Sequence, residues 1–327
     1  TAALSDRETA LLFAMIEKLK ADGVAIVYIS HRMAEVFQLG DRITVLRDGR
    51  RVAEVAPKQS SPDELIRMMV GRNVDTSYAR NFMAQSDQIV LEVVNVSAAT
   101  GISDINLKVR AGEIVGLCGL VGSGRTEVAR AIFGADKITA GEVRVDGRSR
   151  RGGPDEASRL GIALIPESRK AEGLALIRSV GDNLVVAALQ RLFPTGWFGP
   201  PKAKETGTNL VRQLRIQTPS IRQMVGLLSG GNQQKVVIGK WLAAGARVFI
   251  FDEPTRGIDV GAKAEIFALI DDLVGKGAAV LMISSEQSEI VHVCDRAYVM
   301  REGRIAGELS RQELSEENIV RLGMHHA

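Results

Sequence analysis

The sequence predicts an α/β fold, and three patterns support this prediction. Continuous apolar runs at residues 24–29, 114–118 and 248–251 are typical of strands buried on both faces of a sheet. Segments with the apolar spacing of amphipathic helices stand next to these runs. A glycine-rich turn at residues 119–124 joins one apolar run to a following helix. We therefore expect helices packed against a sheet.

Composition places the chain among ordinary globular proteins. Of its 327 residues, 45% are hydrophobic and 25% charged, which excludes a disordered chain, a collagen-like fibre and a disulfide scaffold. The net charge of +3 is too small to indicate a nucleic-acid-binding surface. Cys118 and Cys294 lie in apolar segments, which favours two buried thiols in a reducing compartment. No apolar window is long enough to span a membrane.

An internal repeat organises the chain. Residues 1–50 align without a gap with residues 255–304, so that Phe13 matches Phe267 and Ser30 matches Ser284. Each copy predicts an amphipathic helix, a buried strand, a short helix and a hairpin. About 165 residues of strand-like and motif-bearing sequence, from Leu91 to Pro254, lead into the second copy, and none precede the first. We expect the first copy to be the tail of a domain whose front is absent. The alternative is a duplicated supersecondary unit.

The domain boundaries follow from this repeat and from a polar stretch at residues 71–87 that has no periodicity. We predict the C-terminal part of a first domain over residues 1–72. A linker is expected over residues 73–90, and a second, complete domain over residues 91–327. The absence of an initiator methionine suggests a fragment or a processed product.

A phosphate-binding loop is predicted where the strand at residues 114–118 meets the following helix. The pattern Gly-x-x-x-x-Gly-Lys-Ser/Thr is met except that Arg125 replaces lysine. Backbone N–H groups of such a loop face phosphates, and the Thr126 hydroxyl is placed to ligate Mg²⁺. A tightly packed structural turn is the alternative. The predicted phosphate-binding residues are Gly119, Gly122, Ser123, Gly124, Arg125 and Thr126.

Two carboxylates follow the apolar run at residues 248–251. Asp252 is placed to hold a magnesium ion, and Glu253 to orient or deprotonate an attacking water. A solvated acidic loop is the alternative. Because the two carboxylates share a domain with a predicted phosphate loop, a nucleotide site is favoured over this alternative.

A further motif, Leu-Ser-Gly-Gly-Asn-Gln-Gln, opens a predicted helix at residues 228–234, about 20 residues before these carboxylates. A serine and glycines at a helix start form a second anion site. This motif resembles the signature of ATP-binding cassette (ABC) ATPases, and residues 257–259 resemble the D-loop of that family. The predicted nucleotide-binding residues of the signature are Ser229, Gly230, Gly231, Asn232 and Gln233.

The signature variant, the phosphate-loop arginine and the repeat resemble more narrowly the tandem ATPase subunit of bacterial monosaccharide importers. The resemblance implies a P-loop NTPase cassette with a mixed sheet core, an antiparallel β subdomain and an α-helical subdomain. It also implies ATP and Mg²⁺, pairing of cassettes within a longer chain or between chains, and integral membrane permease subunits as partners. A periplasmic sugar-binding protein would act indirectly. The location implied is the cytoplasmic face of the inner membrane, with no nucleic acid bound.

The resemblance also assigns roles to further residues. His31 matches the switch histidine of the first cassette, a catalytic residue, and Ser285 takes that position in the second cassette. Glu167 falls where the family has the Q-loop glutamine, and a carboxylate there is able to ligate Mg²⁺. No aromatic residue is found near Thr100 to stack on adenine.

These departures predict an asymmetric ATPase. We expect the site on the second phosphate loop to bind ATP but hydrolyse it poorly, and this chain alone to be weakly active or inactive. Two alternatives remain, namely a soluble tandem cassette acting on ribosomes or DNA, and a nucleotide-sensing scaffold without turnover.

An aromatic cluster of Phe193, Trp197 and Phe198 is expected either to dock the permease or to form a local core.

Overall fold

The computed structural model describes residues 6–30, 33–47, 50–62, 64–65, 68, 80 and 86–324. The chain divides into two compact units. The first unit is formed by Thr1–Ser77 with Gly257–Ala264, and the second by Tyr78–Arg256 with Glu265–Ala327. No helix among the described residues is both long and apolar enough to cross a membrane.

The described residues of the first unit include two continuous helices, a hairpin, and helical positions at residues 62, 64, 65 and 68. Its elements are α1 (Asp6–Ala21), α2 (Met33–Leu39), β1 (Ile43–Arg47), β2 (Arg50–Val55) and a 3-10 turn (Pro57–Gln59). The two strands are antiparallel, with Ile43 opposite Val55. Ile43, Val45 and Leu65 form a small core beneath the hairpin. The helix, the short helix and the hairpin of the first repeat copy are therefore confirmed.

The buried strand predicted at residues 24–29 is wrong for the first copy. This segment has no strand assignment, and Val27 and Ile29 are 91% and 93% exposed. The matching segment of the second copy, Ala279–Ile283, is a fully buried strand with a parallel neighbour on each side. No such neighbour pairs with residues 24–29 in the described part of the chain. An extended segment needs ladder partners to become a strand, so the apolar pattern alone was insufficient.

The second unit is built on a six-stranded sheet. The strand order is β12-β11-β5-β10-β9-β8, and only the β11–β12 pair is antiparallel. The strands are β5 (Ile114–Gly119), β8 (Ile162–Ile165), β9 (Val248–Asp252), β10 (Ala279–Ile283), β11 (Arg296–Arg301) and β12 (Arg304–Leu309). The parallel strands β5, β8, β9 and β10 are nearly continuous buried apolar runs because helices cover both faces of a parallel sheet. The predicted mixed sheet is confirmed.

A separate antiparallel sheet of four strands packs in the same unit, in the order β4-β3-β6-β7. Its strands are β3 (Ile89–Ala98), β4 (Ile105–Arg110), β6 (Ile138–Val145) and β7 (Arg148–Arg150). Alternate residues of β4 are buried and exposed, as expected for a sheet with one face on the core. Since β3 begins at Ile89, the last two residues of the predicted linker are already part of a strand.

Helices pack around the large sheet and form a helical region between β8 and β9. The helices are α3 (Arg125–Phe133), α4 (Pro154–Arg159), α5 (Val180–Val185), α6 (Leu189–Leu192), α7 (Pro200–Gln213), α8 (Gly230–Ala244), α9 (Val260–Gly275), α10 (Gln287–Val293) and α11 (Glu316–Met324). A π-helical turn (Arg169–Gly173) and 3-10 turns at Val186–Ala188 and Val225–Leu227 connect them. The 3-10 turn Val186–Ala188 separates α5 from α6.

The aromatic cluster in the helical region is mostly exposed. Phe193 and Phe198 contact each other edge to face, with ring centroids 5.1 Å apart. Trp197 and Phe198 are 86% and 57% exposed. The cluster therefore lies at the surface of this unit, and its role in docking a permease stays a prediction.

Candidate nucleotide-binding site

The glycine-rich loop connects β5 to α3, as the phosphate-loop pattern requires. Gly119 and Gly124 have φ angles of +145° and +100°, in the region that favours glycine. A Cβ atom at Gly119 would overlap the carbonyl of Met300, so a side chain is excluded there. A Cβ at Gly122, by contrast, would meet open space. The helix begins without a side-chain cap, which leaves its first N–H groups available for an anion.

Ser123 contributes a buried hydroxyl to the loop. Ser123 is only 5% exposed, and its Oγ has no hydrogen-bond partner among the described residues. A buried polar atom without a partner is costly and usually marks a place for a ligand or a water. This observation supports the predicted phosphate-binding role of the loop.

Arg125 bonds across the site to the strand end of β10. Its Nη1 donates to the carbonyl oxygen of Ser284 at 2.9 Å. The guanidinium also lies close enough to Asp252 and Glu253 to lower the pKa of both carboxyls, against the larger effect of burial. The arginine thus retains the positive charge of the expected lysine, but its planar fork is used by a protein carbonyl.

The two carboxylates occupy the carboxyl end of β9, beside the phosphate loop. Burial raises the pKa of Asp252 to about 6, and a hydrogen bond with the Thr126 hydroxyl opposes this rise. The residue is 2% exposed, and its Oδ1 has no partner in the described part of the chain. A hydroxyl and a buried carboxylate oxygen are ligands that Mg²⁺ accepts. Thr126 and Asp252 therefore fit a magnesium ion.

Glu253 adopts an unusual backbone conformation at the end of the strand. Its φ angle of +51° lies in the left-handed region, and its N–H donates to the carbonyl of Ile283. Such strain concentrates at functional sites. Burial raises the pKa of its carboxyl, and the Ser285 hydroxyl donates to Oε2 at 3.0 Å. The predicted switch position of the second copy therefore contacts the predicted catalytic carboxylate.

Glu167 follows β8, and its carboxylate forms an ion pair with Arg256. Arg169 donates from Nη1 to the backbone carbonyl of the same Arg256 at 2.8 Å. The segment after β8 is thereby tied to the segment after the two carboxylates. The magnesium-ligand role of Glu167 stays a prediction. In this structure its carboxylate binds the Arg256 guanidinium.

The signature residues form the N-terminus of α8, with Ser229 as its exposed N-cap. Asn232 donates to the Ser229 hydroxyl at 2.9 Å and accepts from the Gln217 N–H at 2.8 Å. Gln233 is 3% exposed, and its amide donates to the Leu228 carbonyl. Ser229 is exposed and Gly230 and Asn232 are half-buried, so all three keep surface accessible to a ligand, whereas Gln233 is buried. Gly231 is buried at the helix start.

His31 lies outside the described residues, so its predicted catalytic role is not tested by this structure. Sequence reasoning missed other residues near the site, namely Thr255, Ser284 and Glu289. The repeat was an available signal for all three, because Thr255, Ser284 and Glu289 match Thr1, Ser30 and Glu35 at the same offset.

The strand, glycine-rich loop and helix, with a carboxylate pair at the end of β9, which is separated from β5 by β10, define the class of P-loop nucleotide-binding cassettes. Residues 102–256 match the sequence model of the ABC transporter family. The chain carries an ABC transporter ATP-binding domain. The family resemblance inferred from the motifs is confirmed.

Relatives match almost the whole chain. The putative ribose/galactose/methyl galactoside import ATP-binding protein 1 of Rhizobium etli is 48% identical over 324 residues, which cover 98% of this chain and 62% of that protein. The ribose import ATP-binding protein RbsA 1 of Rubrobacter xylanophilus is 47% identical, with coverages of 98% and 64%. The chain therefore spans less than two thirds of the length of these relatives.

Solved structures confirm the fold. The ATP-binding subunit of an ABC transporter superposes with a TM-score of 0.60 at 23% identity, covering 71% of this chain and 99% of that chain. The ADP conformation of an ABC transporter ATP-binding cassette gives a TM-score of 0.60 at 22% identity, with coverages of 73% and 100%.

Proposed function

We propose that this chain is part of the ATP-binding subunit that energises a bacterial importer of a monosaccharide. The observation that carries the proposal is the phosphate loop beside Thr126, Asp252 and Glu253, in a chain whose relatives are named for ribose and galactose import. ATP binding and hydrolysis would drive integral permease subunits between two states, at the cytoplasmic face of the membrane. A periplasmic sugar-binding protein would deliver the sugar, which would not touch this chain.

Each group of the site has a part in this function. The loop N–H groups and the start of α3 bind the phosphates of ATP. Thr126 and Asp252 would hold Mg²⁺, which supplies charge neutralisation at the phosphates when bound. Glu253 accepts a proton from the attacking water, and its raised pKa makes it a stronger base than an ordinary carboxylate.

We propose further that this site binds ATP but hydrolyses it poorly. Arg125 donates a hydrogen bond to the Ser284 carbonyl. Ser285, whose hydroxyl donates to Glu253, stands where the family resemblance implies a histidine imidazole. A hydroxyl does not carry the positive charge of a protonated imidazole toward a phosphate. The pairing of Glu167 with Arg256 is a third departure.

The test combines binding and turnover on one preparation of the full chain. Calorimetric titration with Mg-ATP is expected to give saturable binding, and phosphate release is expected to stay far below about 10 s⁻¹, the median of enzymes. The double substitution Arg125→Lys with Ser285→His is expected to raise turnover. Brisk turnover by the unsubstituted chain would contradict the asymmetry, and absence of Mg-ATP binding would contradict the nucleotide-binding function itself.

The importer role needs a separate experiment, in which the chain is co-expressed with the integral permease subunits of a monosaccharide importer. Co-expression is expected to bring the chain into the membrane fraction with the permease. Co-purification with RNA or DNA in place of the permease would favour the ribosome or DNA alternative and would contradict the importer role.

A further inference from the structure

A buried carboxylate lies behind the site, between two hydroxyl groups. Glu289, on α10, is 7% exposed. The Thr255 hydroxyl donates to its Oε1 at 2.6 Å, and the Ser284 hydroxyl donates to its Oε2 at 2.7 Å. Burying a carboxylate is costly, and charge-assisted hydrogen bonds of this kind are what compensate it. Both oxygens of Glu289 are therefore committed to residues that flank the site.

The two hydroxyls belong to segments that carry the predicted chemistry. Thr255 follows Glu253 by two positions, and Ser284 directly precedes Ser285. The Ser284 carbonyl accepts the hydrogen bond from Arg125, and the Ser285 hydroxyl donates to Glu253. The Glu289 carboxylate thus holds Ser284 in place. The position of Ser284 in turn sets the contact with Arg125 and the position of the neighbouring Ser285.

The same contact occurs in the first unit. The Ser30 hydroxyl donates to Oε2 of Glu35 at 2.8 Å, and Glu35 is 4% exposed. Ser30 and Glu35 match Ser284 and Glu289 in the repeat. Residues 24–29, which precede Ser30, are not part of a sheet, whereas the matching β10 is. The carboxylate–serine bond therefore occurs in both repeat copies, whether or not the residues before the serine are paired in a sheet.

We propose that Glu289 is a positioning residue of the nucleotide site. It holds the Ser284 hydroxyl, and thereby orients the Ser284 carbonyl toward Arg125 and the Ser285 hydroxyl toward Glu253. The proposal rests on the nucleotide-binding function proposed above. A purely structural role would lower stability and leave nucleotide affinity unchanged.

The test is a double-mutant cycle on the full chain, read by calorimetric titration with Mg-ATP and by urea unfolding. Glu289→Gln and Ser284→Ala are each expected to weaken Mg-ATP affinity by about tenfold, the size of one charge-assisted hydrogen bond. The double variant is expected to bind Mg-ATP as well as the single variant with the lower affinity does, because both substitutions remove the bond between Ser284 and Glu289. Ser284→Thr, which keeps the hydroxyl, is expected to retain affinity within about twofold.

The matched control is Glu313→Gln. The Ser310 hydroxyl donates to Glu313 at 2.6 Å, which is a carboxylate–serine bond of the same kind on an exposed loop. This variant is expected to bind Mg-ATP like the unsubstituted chain. Unchanged affinity in folded Glu289→Gln, or additive losses in the cycle, would overturn the positioning role. If Glu289→Gln does not fold, equal affinities of Ser284→Ala and Ser284→Thr would overturn it. Loss of binding in the unsubstituted chain would instead contradict the proposed function.

Discussion

At Arg125 the chain places a guanidinium where the phosphate-loop pattern has an ammonium group. An ammonium is a compact charge that fits between phosphates, whereas a guanidinium is planar and prefers directional acceptors. The bond from Nη1 to the Ser284 carbonyl satisfies that preference. The residue type was read from the sequence, but its acceptor, 159 positions away in the chain, was not predictable from it.

Lys240 gives the second unit a pH-dependent stability. Burial lowers the pKa of its ammonium group to about 8, although Nζ donates to the Gly173 carbonyl at 2.8 Å. Because the folded-state pKa lies below the usual 10.5, the protonated lysine destabilises the folded state below pH 8, and this penalty is relieved between pH 8 and 10.5. We expect the free energy of unfolding of the unsubstituted chain to rise relative to Lys240→Met across this window.

Urea unfolding of both proteins at several pH values measures this difference. Lys240→Leu serves as the control, since it removes the same charge with a differently shaped side chain and is expected to show the same pH slope. A difference that stays constant from pH 7.5 to 10.5 would show that Lys240 titrates in the folded chain as it does in the unfolded chain.

At the scale of elements, the two repeat copies show what a local pattern determines. The helices and hairpins of both copies formed where the periodicity and turn residues predicted them. The apolar run of the second copy is a central strand, and that of the first copy is exposed. Helices satisfy their backbone groups internally, whereas a strand needs neighbours that its own sequence does not specify.

The start of α5 is an element with a testable local signal. Ser179 is its N-cap, and Asp182 completes a capping box by accepting from the Ser179 N–H. We expect Ser179→Ala to lower the free energy of unfolding by about 1 kcal/mol, the usual cost of a lost N-cap.

Thr208→Ala is the control for this substitution. The Thr208 hydroxyl donates to the Lys204 carbonyl within α7, a bond that adds little to a helix interior. Chemical denaturation is expected to place this variant within about 0.5 kcal/mol of the unsubstituted chain. Equal stability of the Ser179 variant and the unsubstituted chain would contradict the capping role.

At the scale of the whole molecule, a buried arginine that precedes the first strand of the second unit packs into that unit. Arg80 lies in the segment predicted as a linker, yet its side chain is 2% exposed and pairs with Asp271 and Asp295 at 3.0 and 2.7 Å. Asp295 also accepts from the N–H of Ile114, where β5 begins. The arginine therefore supports the strand that leads to the phosphate loop.

We expect Arg80→Met to destabilise the second unit by about 3–5 kcal/mol, because it leaves the buried Asp295 carboxylate without its cationic partner. Urea unfolding followed by circular dichroism measures this loss. Arg304→Met is the control, since its ion pair with Asp104 is more than half exposed on both sides and is expected to contribute less than about 1 kcal/mol. A loss at Arg80 no larger than at Arg304 would contradict the supporting role.

The sequence by itself determined the α/β class, the phosphate loop, the carboxylate pair and the signature helix, because each is encoded by neighbouring residues and local geometry. Only the tertiary structure decided that Arg125 binds the Ser284 carbonyl, that Glu167 pairs with Arg256, and that Arg80 belongs to a core. Those partners lie far apart in the chain and meet only when the sheet order brings strand ends together. Contacts of that kind depend on packing, which no local pattern of residue types records.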